Sequence, residues 1–320
     1  MTLKEAVESY IALKRSLGAV YSADARILRA FACALGDIPV DAVEPRVTRV
    51  FCRGSGPPTQ WWVRKYQALR RFFAFLVDRG HLSASPLTGP APRIPREFEP
   101  YIYSRDELRQ LLDATSIMDK SRSPLDSATF RTLLLVLYGA GLRPGEGLRL
   151  RCCDVDIDER VLAVWDTKFF KSRLVPVGKT LTAAIGAYRK ARRNLPMPAG
   201  TRSAFFAAGT GLPISLGSLE KAFCRLRRHV GISRSPDARW QPRLHDLRHT
   251  FAVHRLIGWY RQGADVQALL PLLSTYLGHG NISGTQAYLT MTHEVLAEAS
   301  KRAHPPVRGR ITGRFYDILK

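Results

Sequence analysis

The sequence predicts a mainly α-helical protein with a small β-hairpin, divided into a helical first domain and a mixed α+β second domain. Apolar residues recur at three- and four-residue steps through most of the chain, which is the spacing of amphipathic helices. A proline-rich stretch near residue 90 interrupts this pattern, and two short valine-containing runs follow in the second half. A length of 320 residues also suits two domains better than one.

The first domain is predicted to be helical throughout. Apolar positions from Leu3 to Leu13 predict a helix over Thr2–Leu17. A second apolar stripe predicts a longer helix over Trp62–Arg79, ended by Gly80. Its members are Trp62, Tyr66, Leu69, Phe73 and Leu76.

A linker is predicted at residues 83–100, because five prolines in this stretch exclude a helix or a central strand. The linker overlaps the end of a first domain at residues 1–95 and precedes a second domain at residues 101–305. Residues 306–320 then form a C-terminal tail.

The second domain opens with Ser104 and Glu107, which have the spacing of a capping box. Val161–Trp165 and Leu174–Val177 predict the hairpin. Further helices are predicted at Ser127–Tyr138, Thr180–Arg193, Leu216–His229, His245–Tyr260, Leu270–Leu277 and His293–Lys301.

The charge of the chain indicates a nucleic-acid partner. Lys and Arg number 49 against 27 Asp and Glu, and the net charge of +22 opposes compaction unless a polyanion neutralises it. Residues 1–95 carry an excess of +7 and residues 96–320 an excess of +15, which suggests two basic domains that clamp a duplex. Four cations lie off the second apolar stripe, and we expect them to contact DNA phosphates, a solvated surface being the alternative. They are Arg64, Lys65, Arg70 and Arg71.

Composition excludes several other classes of protein. With 45% hydrophobic and 24% charged residues the chain is globular and not disordered. Five cysteines without a CxxC pair favour reduced thiols and argue against a structural zinc site. The longest apolar run, Leu133–Leu142, is too short to cross a bilayer, and the N-terminus lacks the pattern of a secretion signal.

Two motifs place arginines where they could bind a phosphate. In Gly141-Leu-Arg-Pro-Gly-Glu146, proline opens a helix and sets Arg143 at its entrance, although an ordinary helix cap would look the same. In His245-Asp-Leu-Arg248-His249, His245 and Arg248 share one helix face. His245 and His249 also have metal-ligand spacing, but no third ligand is evident and we predict no metal.

The predicted hairpin and the end of the chain add further candidates. The hairpin turn carries Lys168 and Lys171, with Arg173 following. His279 lies nine residues before Tyr288, and two other tyrosines compete with Tyr288 for a chemical role. These are Tyr260 and Tyr276.

Taken in this order, the motifs resemble those of the tyrosine site-specific recombinases, the phage integrase family. The resemblance covers the layout of the whole chain, and its specific motifs run from Gly139 to Tyr288. It implies that Tyr288 is the nucleophile, that Arg143 and Arg248 bind the scissile phosphate and that His279 donates a hydrogen bond to it. It further implies that His245 shuttles a proton and that Lys168, with Lys171 as the alternative, protonates the leaving oxygen. His249 receives a supporting role, and Lys171 and Arg173 are added to the candidate DNA-binding residues.

The resemblance also sets expectations for partners and outcome. It implies a helical core-binding domain, a catalytic domain and a tetramer assembled on double-stranded DNA, with accessory recombination proteins as further candidates. Cleavage through a 3′-phosphotyrosyl ester requires neither a metal cofactor nor ATP. We expect the tail to dock in trans on a neighbouring subunit, docking in cis being the alternative. We expect a mobile-element integrase or transposase. We expect it to act in the bacterial cytoplasm, at the nucleoid and not at a membrane.

Three other functions share part of this evidence. A type IB topoisomerase would use the same chemistry without a partner subunit. A non-catalytic architectural protein would bind DNA only, and a metal-dependent nuclease would be inhibited by EDTA.

Overall fold

The computed structural model describes residues 1–19, 21–53, 59–92, 100–119, 125–165, 172–238, 240–279, 281–290 and 293–300. The chain divides into two compact units, one running from Met1 to Glu97 and the other beginning at Phe98. Lys168, Lys171 and the tail at 306–320 lie outside the described residues. None of the described helices combines the length and apolar character that crossing a membrane requires.

The first unit is a bundle of helices around its own apolar core. Thr2 and Glu5 form a capping box at the start of the first helix, and Gly80 follows the last one with φ +73°. Of the predicted stripe, Leu69, Phe73 and Leu76 are buried. The helices are α1 (Leu3–Ser16), α2 (Ser22–Leu35), α3 (Pro45–Cys52) and α4 (Gln60–Asp78).

The second unit is mixed α+β, as the sequence predicts. Its sheet has three antiparallel strands in the order β1-β2-β3: β1 (Val155–Asp156), β2 (Val161–Val164) and β3 (Arg173–Pro176). The pairing of β2 with β3 is the predicted hairpin, whereas β1 has only two residues and leaves no periodic signal. The helices are α5 (Arg105–Asp113), α6 (Ser127–Gly139), α7 (Pro144–Arg149), α8 (Lys179–Arg192), α9 (Leu216–His229), α10 (Asp246–Arg261), α11 (Val266–Leu277), α12 (Ser283–Gln286) and α13 (His293–Ser300).

Helix α11 begins four residues earlier than the predicted Leu270. The carboxylate of Asp265 accepts hydrogen bonds from the backbone N–H groups of Gln267 and Ala268, and this cap starts the helix at Val266. Pro271 lies inside the helix. The prediction placed the helix start next to this proline, where the residue type suggests an N-terminus.

Two apolar clusters hold the second unit together. The larger joins α6, the sheet, α8 and α9, and the smaller joins α10, α11 and α13 with Tyr288. Helix α10 is central because it contacts both α6 and α13. The candidate site residues of α7, α10 and the segment after α11 therefore rest on packed elements.

Candidate active site

The entrance to α7 places Arg143 through a turn that only glycine fits. Gly141 has φ +60°, and a Cβ there would lie 2.6 Å from Cδ1 of Phe251 and 2.9 Å from Cδ2 of Leu277. Pro144 then opens α7 with Arg143 as its N-cap, as the sequence predicts.

A buried carboxylate organises the arginines of the site. Glu146 is 2% exposed, and its oxygens accept hydrogen bonds from Nη1 of Arg143 at 2.7 Å and from both terminal nitrogens of Arg173 at 3.2 and 2.9 Å. Nη1 of Arg248 lies 3.9 Å from the same carboxylate. Burial alone would raise the pKa of Glu146, but the hydrogen bonds and charges of Arg173 and Arg143 outweigh it and lower the pKa to about 2.

Arg248 is held rigidly inside the protein. It is 2% exposed, and its guanidinium donates to the carbonyl oxygens of Gly141 at 2.8 Å and Leu277 at 2.5 Å. Burial, and then the charge of Arg143, lower its pKa to about 10, so the group stays cationic at neutral pH.

Arg143 binds the C-terminal end of α11 next to the carbonyl group that Arg248 binds. Its Nη2 donates to the carbonyl oxygen of Gly278 at 3.4 Å, and its side chain is about one third exposed. Gly278 ends α11 in the left-handed conformation, with φ +67°. Two guanidinium groups thus converge on the segment between α11 and Tyr288, one half-buried and one buried.

Tyr288 lies within this cluster. It is 2% exposed in the helical turn Ala287–Thr290, and its hydroxyl is 3.1 Å from Nδ1 of His249. The ring of His279 stacks on the Tyr288 ring, with centroids 6.2 Å apart and planes at 26°. Burial raises the pKa of the phenol, and the charges of Arg248 and Arg143 oppose this shift.

The three histidines near Tyr288 are held in their neutral form. The rings of His245 and His249 meet edge to face at 5.1 Å, one helical turn apart on α10. Burial is the largest cause that lowers the pKa of each to about 4, with neighbouring cations adding to it, and the same holds for His279. Nδ1 of His279 is 2.7 Å from the hydroxyl of Thr285, a pairing that orients the ring.

The competing tyrosines lie in other environments. Tyr276 donates a hydrogen bond from its hydroxyl to the carbonyl oxygen of Pro176 at 3.1 Å, and its ring stacks on Phe251. Tyr260 is near the C-terminal end of α10, about 20 Å along the helix from His245. The geometry therefore favours Tyr288.

The structure brings together most of the residues that the sequence selected. Arg143, His245, Arg248, His279 and Tyr288 belong to one cluster, whereas Lys168 and Lys171 lie outside the described residues. Glu146 and Thr285 are residues of the site for which no chemical role was predicted. The spacing of Glu146, three residues after Arg143, was the available signal, and Thr285 gave none.

The candidate DNA-binding residues differ in their solvent exposure and in the contacts that their charged groups make within the protein. On α4, Arg64 pairs with Asp24 at 3.1 Å and Arg71 does so at 3.5 Å, both with about half of the side chain exposed. Lys65 donates to the carbonyl oxygen of Phe51, and Arg70 is exposed. Arg173 is only 10% exposed, and its guanidinium binds Glu146 and the carbonyl oxygen of Tyr276.

The described residues contain no group of three or more His, Cys, Asp or Glu side chains able to hold a metal ion. His245 and His249 therefore have no third ligand within that part of the chain. What the cluster can do instead is bind an anion with two guanidinium groups and set a phenol beside neutral imidazoles.

Comparison with known proteins agrees with this arrangement. Residues 103–294 match the phage integrase family. A Sinorhizobium fredii protein named as an integrase/recombinase is 38% identical over 302 residues, covering 94% of this chain and 96% of its own. The tyrosine recombinase XerC of Chlorobaculum tepidum is 33% identical over 267 residues, covering 78% and 75%.

Solved structures share the fold. The integrase of the transposon Tn1549, in complex with transposon right end DNA, aligns with a TM-score of 0.69 at 18% identity, over 95% of this chain and all of the other. A lambda integrase tetramer bound to a Holliday junction aligns with a TM-score of 0.64 at 18% identity, over 90% of this chain and 77% of the other.

Proposed function

The chain belongs to the phage integrase family of tyrosine recombinases, and we propose that it performs site-specific DNA recombination with Tyr288 as its nucleophile. The observation that carries the assignment of Tyr288 is its place beside Arg143 and Arg248, with its hydroxyl against a histidine. A phosphodiester repels nucleophiles by its charge, so two fixed cations beside a phenol are what metal-free cleavage requires.

The residues divide the chemistry between them. The phenolic oxygen of Tyr288 attacks the phosphorus, the bond to the 5′ oxygen breaks and a 3′-phosphotyrosyl ester forms. Arg143 and Arg248 neutralise the charge that develops on the non-bridging oxygens, and His279 donates a hydrogen bond to one of them. The phenolic proton of Tyr288 passes to a neighbouring histidine, for which the resemblance implies His245, and Lys168 protonates the leaving oxygen, with Lys171 as the alternative.

Rejoining reverses these steps on a partner strand. The free 5′-hydroxyl attacks the phosphotyrosyl ester, the bond from phosphorus to Tyr288 breaks and the phenol recovers its proton. Because the ester retains the free energy of the broken bond, strand exchange consumes no ATP. The predicted reaction therefore needs neither nucleotide nor metal.

The remaining parts of the chain serve DNA binding and assembly. We propose that residues 1–95 form a core-binding domain whose α4 cations contact phosphates, joined through the linker at 83–100 to a catalytic domain at 101–305. The DNA complexes of the Tn1549 integrase and of the lambda integrase tetramer support double-stranded DNA as the partner and a tetramer as the active assembly. The tail at 306–320 would dock in trans within that tetramer.

Two finer proposals concern the biological setting. The transposon integrase among the structural neighbours supports a mobile-element reaction, integration or excision. We expect the protein to act at the nucleoid in the bacterial cytoplasm, where its DNA substrate lies. The family match favours recombination over the topoisomerase, architectural and nuclease alternatives.

Covalent trapping tests the proposal. Nicked duplexes tiled from the DNA flanking the gene are incubated with protein in EDTA and resolved on a denaturing gel. We expect a protein–DNA adduct with the wild type and with Tyr276→Phe, and none with Tyr288→Phe. Tyr276 is the control because it is a part-buried tyrosine of the same unit whose hydroxyl binds a backbone carbonyl and not a histidine. An adduct that persists in Tyr288→Phe would refute Tyr288 as the nucleophile, and relaxation of a supercoiled plasmid by the monomer would favour the topoisomerase alternative.

A further inference from the structure

His249 contacts the nucleophile directly, although only a supporting role and no chemical step has been assigned to it. Its Nδ1 lies 3.1 Å from the hydroxyl of Tyr288, and the two rings are 5.6 Å apart at 57°. The spacing of a hydrogen bond between a neutral imidazole and a phenol is the starting geometry for proton transfer.

We propose that His249 is the general base that takes up the phenolic proton of Tyr288 during cleavage. This inference rests on the proposed function. As the bond between the Tyr288 oxygen and phosphorus forms, the phenolic proton moves to Nδ1 of His249. The bond from phosphorus to the 5′ oxygen breaks, and that oxygen receives its proton from a separate acid, Lys168 or its alternative Lys171. In rejoining, His249 returns its proton to the phenolic oxygen.

The neighbouring groups are worse placed for this step. Arg143 and Arg248 are cations and cannot accept a proton. His279 uses its Nδ1 on Thr285 and lies over the face of the Tyr288 ring, not at its hydroxyl. His245, for which the resemblance implies this step, packs against the ring of His249 and makes no hydrogen bond to the Tyr288 hydroxyl within the described residues.

The environment of His249 makes its basicity respond to DNA. Burial is the main cause that lowers the pKa of His249, and the cations and neutral rings that face it keep the imidazole unprotonated and free to accept a proton. A bound phosphate brings negative charge beside these cations, and negative charge stabilises an imidazolium. The base is therefore weak without substrate and stronger with it. The titratable and charged groups that face it are Arg243, His245, Asp246, Arg248, His279 and Tyr288.

The helix that carries His249 also provides a matched control. His254, five residues further along α10, has its Nδ1 2.9 Å from the hydroxyl of Tyr138, with the rings edge to face at 5.9 Å. The two pairs have the same chemistry, but only one contains the proposed nucleophile. His254→Asn therefore measures what the loss of a tyrosine–histidine pair on α10 does to folding alone.

The test measures the rate of adduct formation against pH, on the nicked duplex that the wild type cleaves. In His249→Asn the amide can still hold the Tyr288 hydroxyl near the position of Nδ1, but it cannot take up a proton. We expect cleavage at pH 7 to slow by about 10²–10⁴-fold, the usual contribution of a general base. The rate should then rise log-linearly with pH, while DNA affinity and the melting temperature stay close to wild-type values. His254→Asn should keep the wild-type rate and pH profile.

A modified substrate distinguishes the loss of the general base from the loss of the general acid. Replacing the bridging 5′ oxygen by sulfur gives a leaving group that needs no protonation, so this substrate should rescue Lys168→Ala and leave the defect of His249→Asn in place. If His249→Asn is less stable than the wild type, His249→Gln and a temperature well below both melting points provide the same comparison. Cleavage by His249→Asn within threefold of the wild type, a parallel pH profile, or rescue by the sulfur substrate would overturn the proposal. The absence of any wild-type adduct would instead refute the proposed function.

Discussion

Glu146 and Arg173 form a bidentate ion pair in which the carboxylate is 2% and the guanidinium 10% exposed. Glu146 also binds Arg143, so one buried carboxylate fixes an arginine of the hairpin and an arginine of the α7 entrance. Removing a charge from such a pair leaves its partner buried and uncompensated, which costs far more than the pair contributes when intact.

Glu146→Gln is therefore expected to destabilise the protein strongly. Breaking a buried ion pair typically costs about 3–5 kcal/mol, and here two arginines lose their common anion. Urea unfolding measures this change, and adduct formation should fall with it because Arg143 loses its anchor. Glu8→Gln is the control, since Glu8 and Arg29 form a bidentate pair that is shorter, at 2.7 Å for both hydrogen bonds, but half exposed. Its urea midpoint should stay near the wild-type value. Equal effects of the two substitutions would contradict the importance of burial.

Thr285→Val tests whether the orientation of His279 matters. A neutral imidazole donates from one nitrogen only, and a Thr285 hydroxyl that donates to Nδ1 leaves the proton on Nε2, where it can serve the phosphate. We expect adduct formation to slow by roughly 10- to 100-fold, somewhat less than the loss of a whole preorganised donor. Thr285→Ser keeps the hydroxyl and should retain most of the activity. A slow Ser variant together with an active Val variant would refute this role.

Gly141→Ala tests the turn before Arg143. The φ of +60° costs an alanine about 1 kcal/mol, and the new Cβ would lie 2.6 Å from a ring carbon of Phe251. We expect a loss of more than about 3 kcal/mol from strain and overpacking together. Cleavage should fall as well, because the carbonyl oxygen of Gly141 binds Arg248.

Gly231→Ala separates the backbone strain of a positive φ from the overpacking caused by a new Cβ. Gly231 also has a positive φ, +72°, but a Cβ there would meet nothing within 4 Å. It should cost only the backbone strain of about 1 kcal/mol. If thermal unfolding showed the same shift for both variants, the close approach to Phe251 would be irrelevant.

The fold could be predicted from the sequence because its longest helices carry periodic apolar faces and its hairpin is a local structure. The start of α11 was predicted less accurately. Pro271 is a more prominent sequence signal for a helix start than Asp265, which caps the helix in the structure. The site followed from motif order, which selected Tyr288 over Tyr276 and Tyr260. The contacts of Glu146 with Arg173, and of His249 with Tyr288, join residues 27 and 39 positions apart. No local pattern encodes such pairs, since they arise only when the packed elements meet.

The half-buried histidines of the site predict how stability depends on pH. His245, His249 and His279 have a pKa near 4 in the folded protein, against an ordinary value of 6.5. Between these values the unfolded chain binds more protons than the folded one, so stability falls as the pH falls from 7 towards 4. Partly exposed groups are screened by solvent, and we expect each histidine to contribute a loss on the order of 1 kcal/mol at pH 5. Glu146, with a pKa of about 2 in the folded state against 4.5, adds a further loss below pH 4.5.

Urea midpoints at pH 7.5, 6 and 5 measure this dependence. His249→Asn removes one of the three groups and should flatten the curve, whereas His229→Asn, at an exposed position on α9, should leave its slope unchanged. A short duplex that the protein binds without cleaving should also flatten it, because the phosphate stabilises protonated histidines beside it. Stability that stays constant or increases from pH 7.5 to 5 would mean that folding does not lower the pKa of these histidines, and it would contradict this prediction.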